Sequence, residues 1–110
     1  IGHRGRLELV SGDSRQTLPA YLRQWPQASF DLVSVDGDHS AEVASADLAC
    51  VKPRVKLGGV LVLDDVAHPQ HRDLADVWRE GVASDPDFDS RSYTDLGYGV
   101  AFAVRRRAAR

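Results

Sequence analysis

Cysteine is nearly missing from this chain: Cys50 is the only one in 110 residues, so no intrachain disulfide can form. A reducing, cytoplasmic setting is therefore expected, with Cys50 as a buried, inert thiol. Long apolar runs are missing too, and Ile1-Gly2-His3-Arg4 has none of the organisation of a signal peptide, so no membrane partner is expected. The formal net charge of -2 lacks the basic excess that phosphate-binding domains show on one face, which argues against nucleic acid. Arg105, Arg106, Arg107 and Arg110 crowd the end, where they read as a solvated tail after the last strand. There is no zinc-type Cys/His spacing, internal repeat, low-complexity tract or Gly/Ser-rich linker. What remains, 43% hydrophobic and 27% charged, is the composition of one globular unit with a modest core.

The chain alternates strand-like and helix-like segments. Leu7-Glu8-Leu9-Val10 reads as a short strand ended by Gly12-Asp13-Ser14, and Thr17 to Leu22 as a helix with Pro19 in its first turn. Phe30-Asp31-Leu32-Val33-Ser34-Val35 is the second strand, running into Asp36-Gly37-Asp38-His39. Ser40 is a plausible N-cap for a helix that places Ala44, Leu48 and Val51 on one face, and Pro53 should end it. Gly58-Gly59 marks a turn into Val60-Leu61-Val62-Leu63, an apolar run suited to a strand covered on both faces, with Asp64 and Asp65 at its end. After Pro69 a further helix carries Leu74, Val77, Trp78 and Val82 on one stripe, with Trp78 read as core packing. Ser90 to Tyr93 and Val100 to Val104, joined through a tight turn at Gly97-Tyr98-Gly99, predict an antiparallel hairpin. The fold class is α/β: an open, mostly parallel sheet closed by a carboxyl-terminal antiparallel hairpin.

Open α/β sheets bind ligands beyond the carboxyl ends of their strands. Three such ends carry acids here: Asp13 after the first strand, Asp36 and Asp38 after the second, Asp64 and Asp65 after the third. With the second and third strands side by side, Asp36, Asp38, Asp64 and Asp65 crowd one corner, where repulsion demands a proton or a cation. Magnesium, which prefers hard oxygen ligands, is the simplest compensator. Taken singly, each aspartate is equally explained as a turn or helix-cap residue, Asp13 and Asp73 above all.

The run Gly12-Asp13-Ser14, then Thr17-Leu18-Pro19, then Phe30 to Ser40, then Lys56-Leu57-Gly58-Gly59-Val60-Leu61-Val62-Leu63-Asp64-Asp65, resembles the class I S-adenosylmethionine-dependent methyltransferases. Within them it is most similar to the metal-dependent small-molecule O-methyltransferases, including those acting on macrolide and aminocoumarin sugars, and more distantly the catechol type. The resemblance spans nearly the whole chain and covers the later strands of that family's Rossmann-like sheet, so residues 1–110 are expected to be the carboxyl-terminal portion of such a domain. It implies Asp36, Asp64 and Asp65 as ligands of Mg2+ or a similar divalent cation, and Asp38 as the general base. It implies Asp13 and Ser14 as contacts to the adenine of S-adenosylmethionine, and a small-molecule hydroxyl as methyl acceptor. His39, at a helix start, is given no catalytic role. His68 and His71 lie on the loop from Ala67 to Arg72 near the acidic corner, where solvent exposure is the expectation.

The family's glycine-rich cofactor turn has no counterpart, since no strand precedes Gly2-His3-Arg4-Gly5 and no long helix follows. By itself the chain is therefore expected to bind S-adenosylmethionine poorly, and to leave an apolar sheet edge through which two copies could pair as a homo-oligomer. Two other readings stay open. Asp36-Gly37-Asp38 also fits the Asp-x-Asp of metal-dependent nucleotide-sugar glycosyltransferases, which leaves Asp64-Asp65 unexplained. A non-catalytic binding or oligomerisation module accounts for the missing glycine turn, and a phosphoryl-transfer receiver would need a lysine after a late strand that is not there.

Overall fold

Asp13 accepts the N–H of Arg15 and thereby caps α1 (Ser14–Gln24). This helix begins earlier than its sequence suggests, so Pro19 lies in the second turn, where its missing N–H leaves the carbonyl of Arg15 without an i+4 donor. The computed structural model describes residues 5–107; Gly2, His3 and Arg4 of the amino-terminal segment, and Arg110, lie outside the described residues. From α1 the chain enters β1 (Phe30–Val35) and then α2 (Ala41–Val51), capped by Ser40, whose Oγ accepts the N–H of Val43 at 3.2 Å. Pro53 ends α2 in a 3-10 turn, Lys52–Arg54. There follow β2 (Val55–Asp64), α3 (Asp73–Trp78) widening into a π turn at Arg79–Ala83, β3 (Phe88–Tyr93) and β4 (Val100–Arg105).

The four strands form one sheet in the order β1-β2-β4-β3, with β1 and β2 parallel and the remaining pairs antiparallel. The α/β class and the closing hairpin are as expected, while the parallel part among the described residues is confined to β1–β2. Along β2 and β4, Leu61, Leu63, Ala101 and Ala103 alternate inward and are almost fully buried. They form one core with Leu48 and Val51 of α2, Leu74, Val77 and Trp78 of α3, and Val82. Burying a side chain such as Leu61 contributes about 1.5–3 kcal/mol. Trp78 is core, as its position on the stripe predicts.

Several expectations are corrected. Leu7 to Val10 is not a strand: Leu7 and Leu9 are 85% and 89% exposed. A strand requires a partner for its backbone groups, and this segment stands apart from the outer edge of β1 with a groove of about 830 Å³ between them, lined by Leu9, Val10, Leu18, Phe30, Leu32 and Asp47 among others. Gly58 and Gly59 do not precede the third strand but lie within β2, opposite an irregular register between Phe30 and Leu32. A side chain at Gly59 would meet the carbonyl oxygen of Lys56 at 2.8 Å. Arg105 is not part of a solvated tail. It is 5% exposed, donates to the carbonyls of Lys52 and Val55, and lies over the Phe88 ring. Cys50 is only half-buried. Among the described residues no helix is long and apolar enough to cross a membrane.

Candidate functional site

Because β1 and β2 run parallel and neighbour each other, their carboxyl ends open on the same side, and the turns leaving them meet there. Asp36 is the first residue beyond β1 and is exposed. Asp38 turns back on its own chain: Oδ1 accepts the N–H of Ser40 at 2.7 Å. That bond, with a further one from the Ser40 hydroxyl, holds the Asp38 carboxyl below the usual range and keeps it ionised. His39 is thereby directed across the strand ends, half-buried, with Nε2 2.6 Å from Oδ2 of Asp65.

Asp65 is the one non-glycine residue with positive φ among those described, at 62°. Aspartate tolerates this left-handed conformation better than most residues, and two acceptors secure it here. The N–H of Asp65 points to the carbonyl of Gly99 at 3.0 Å and to Oδ1 of Asp64 at 2.9 Å. Ala67 adds a bond to the carbonyl of Tyr98 at 2.7 Å, so the β3–β4 loop braces the segment after β2. Two successive turns follow, with His68 N–H bonded to Asp65 O and His71 N–H to His68 O.

Those turns bring three imidazoles together. His71 stacks on His39 with ring centres 4.8 Å apart, His68 lies 4.8 Å from His71, and His68 packs on Tyr98 at 4.1 Å. The expectation that His68 and His71 face solvent is corrected, because both are half-buried in this stack. The sequence offered few signals for it: the His-x-x-His spacing at 68 and 71, and a turn-forming Pro69 between them.

One ligand atom each from Asp36, His39 and Asp65 lies within 4.8 Å of the other two, a donor set that suits a divalent cation. Asp64 and Asp38 line the narrow cleft beside this group, but one oxygen of Asp64 is engaged by the Asp65 N–H and Asp38 is engaged by Ser40. The structure thus brings together all four acids that the sequence places at the corner, and adds His39 to them.

Asp13 and Ser14 stand at the start of α1 on the same side of the sheet, since Arg15 reaches Glu42 in the first turn of α2 at 3.4 Å. The Asp13 carboxyl is lowered by the Arg15 side chain, which bonds it at 2.8 Å, and by the Arg15 N–H. These two residues could form one end of a cofactor site; among the described residues no glycine-rich turn stands beside β1 to form the rest.

A family profile described as "Methyltransferase domain" matches residues 1–66. No curated protein sequence matches the chain significantly. Among solved structures, apo CalS11, a TDP-rhamnose 3'-O-methyltransferase of calicheamicin biosynthesis, is similar at a TM-score of 0.69 and 25% identity, over 87% of this chain and 39% of that one. Cofactor-bound Rv0187 from MTB is similar at 0.65 and 25% identity, over 90% of this chain and 49% of that one. The SAH-bound Podospora anserina methyltransferase PaMTH1 shares the fold at 0.68 and 16% identity, over 94% of this chain and 51% of that one. The chain therefore spans between two-fifths and about half of the length of these structures.

Proposed function

Because the chain belongs to the methyltransferase-domain family, we propose that it serves, within a longer polypeptide, in S-adenosylmethionine-dependent methyl transfer to the hydroxyl of a small molecule, assisted by a divalent cation such as Mg2+. The observation that carries this reading is the convergence of Asp36, His39 and Asp65 where β1 and β2 end, with Asp38 and Asp64 beside them. Similarity to a sugar O-methyltransferase and to cofactor-bound relatives supports the acceptor class and the cofactor.

S-adenosylmethionine supplies an electrophilic methyl group, and a divalent cation lowers the pKa of a hydroxyl bound to it. The protein's part is alignment and charge control. Asp36 and Asp65 hold the cation, with Asp64 beside them as a third acid. Asp38 is exposed at the mouth of the same corner, within the cleft that Asp36 and Asp64 also line, and this placement is what supports it as the acceptor of the hydroxyl proton. Its bond from the Ser40 N–H fixes the carboxylate at the start of α2. Asp13 and Ser14 contribute the adenine side of the cofactor site.

The test is a methyl-transfer assay with labelled S-adenosylmethionine, Mg2+ and a panel of sugar and catechol hydroxyl acceptors, using the polypeptide that carries this domain. Label in an ether product, reduced at least about 100-fold in Asp38→Asn, is the expected result for loss of a general base. No transfer to any acceptor by protein that retains bound metal would favour the binding-module reading instead.

A further inference from the structure

The ligand atoms that meet at the strand ends are not those of three carboxylates. Asp36 and Asp65 each offer an oxygen and His39 offers a ring nitrogen, all within 4.8 Å of one another. Asp64 directs an oxygen to the N–H of Asp65 at 2.9 Å. The geometry points to His39 as a direct metal ligand, in a site that selects a first-row transition-metal dication (Mn2+, Fe2+, Co2+ or Zn2+) over Mg2+. This inference rests on the metal-assisted reading above and specifies its ion.

Neighbouring ligand atoms on a dication with bonds of about 2.1 Å lie about 3 Å apart. His39 Nε2 and Asp65 Oδ2, at 2.6 Å, need to separate by only a few tenths of an ångström to share an ion in place of a proton. Asp65 is pinned for that purpose, its backbone at φ 62° and its N–H directed to both Gly99 and Asp64. The His39 ring is oriented as well, because His71 stacks on it with 20° between the planes. Magnesium takes oxygen ligands almost exclusively, whereas imidazole suits the later first-row ions. One nitrogen among three protein donors therefore shifts selectivity away from Mg2+.

The test uses the whole 110-residue chain. Calorimetry with Co2+ and Mg2+ should give tighter binding of Co2+, by at least about tenfold, and His39→Gln should lose about tenfold or more on Co2+ with little change on Mg2+. Pulsed electron paramagnetic resonance of the Mn2+-loaded chain should show nitrogen hyperfine coupling that disappears in His39→Gln and persists in His68→Gln and His71→Gln. Absence of nitrogen coupling from the parent protein with Mn2+ bound overturns the inference whether or not the variant folds, and leaves the metal-assisted reading standing. Coupling that survives His39→Gln also overturns it. If the folded parent binds neither Co2+ nor Mg2+, both the inference and that reading fail.

Discussion

His39 Nε2 and Asp65 Oδ2 lie 2.6 Å apart and join the turn after β1 to the end of β2. This contact depends on a backbone conformation that most side chains resist, since Asp65 has φ 62°. Asp65→Asn keeps a residue that tolerates the left-handed region and should leave stability nearly unchanged while weakening metal binding. Asp65→Val should lose both, with a stability cost of about 1–2 kcal/mol. Chemical denaturation and metal titration of the two variants separate these effects, and equal stability of the two would contradict the role assigned to the backbone.

Gly99 supports the same residue from the hairpin side. Its φ is 78°, and a side chain there would meet Ala67 Cβ at 3.0 Å and the carbonyl of Tyr93 at 3.2 Å. Gly99→Ala is expected to destabilise the fold by about 2 kcal/mol. Because Gly99 accepts the N–H of Asp65, it should also weaken metal binding although it carries no ligand atom. Unchanged affinity in a folded Gly99→Ala protein would show that the hairpin does not position the site.

Acid sensitivity should trace in part to Asp85. Burial alone would raise its pKa, but the N–H of Asp87 and the ammonium of Lys52, 3.0 Å away, together outweigh burial and lower it. A carboxyl lowered on folding contributes stability that is fully present above its unfolded pKa of about 4 and is lost as pH falls through the folded value. Asp85→Asn should therefore be less stable than the parent at neutral pH, with the difference shrinking below about pH 4. Denaturation midpoints from pH 2.5 to 7 check this, and a constant difference across that range would rule it out.

Asp47 is 9% exposed on α2, and among the described residues its Oδ1 has no hydrogen-bond partner. An unsatisfied buried acceptor costs about 1–3 kcal/mol, and alanine is the better helix former. Asp47→Ala should raise the stability of this chain by about 1 kcal/mol, read as a higher denaturation midpoint. A lower midpoint would mean that the carboxylate has a stabilising role.

The local part of this structure was legible in the sequence. Phe30 to Val35 matches β1, Ser40 caps α2, and the stripe through Leu74, Val77, Trp78 and Val82 packs in the core, because periodicity and capping act within a few residues. Features that depend on distant partners were not. Leu7 to Val10 has the composition of a strand but pairs with no neighbour among the described residues, and Arg105 is buried because the carbonyls of Lys52 and Val55 converge on it. The acids of the site could be placed at strand ends from their order alone. The stacking of His71 on His39 could not, because it arises from two turns and a left-handed aspartate that no periodicity encodes.

A metal site at the ends of β1 and β2 is tested by Mn2+ binding, followed by loss of the free-ion electron paramagnetic resonance signal, in the parent chain and in an Asp36→Asn, Asp65→Asn double variant. Saturable uptake of one equivalent is expected of the parent and none of the folded variant. A free-ion signal undiminished by the parent, or uptake equal in the two proteins, would contradict a metal site at the ends of β1 and β2.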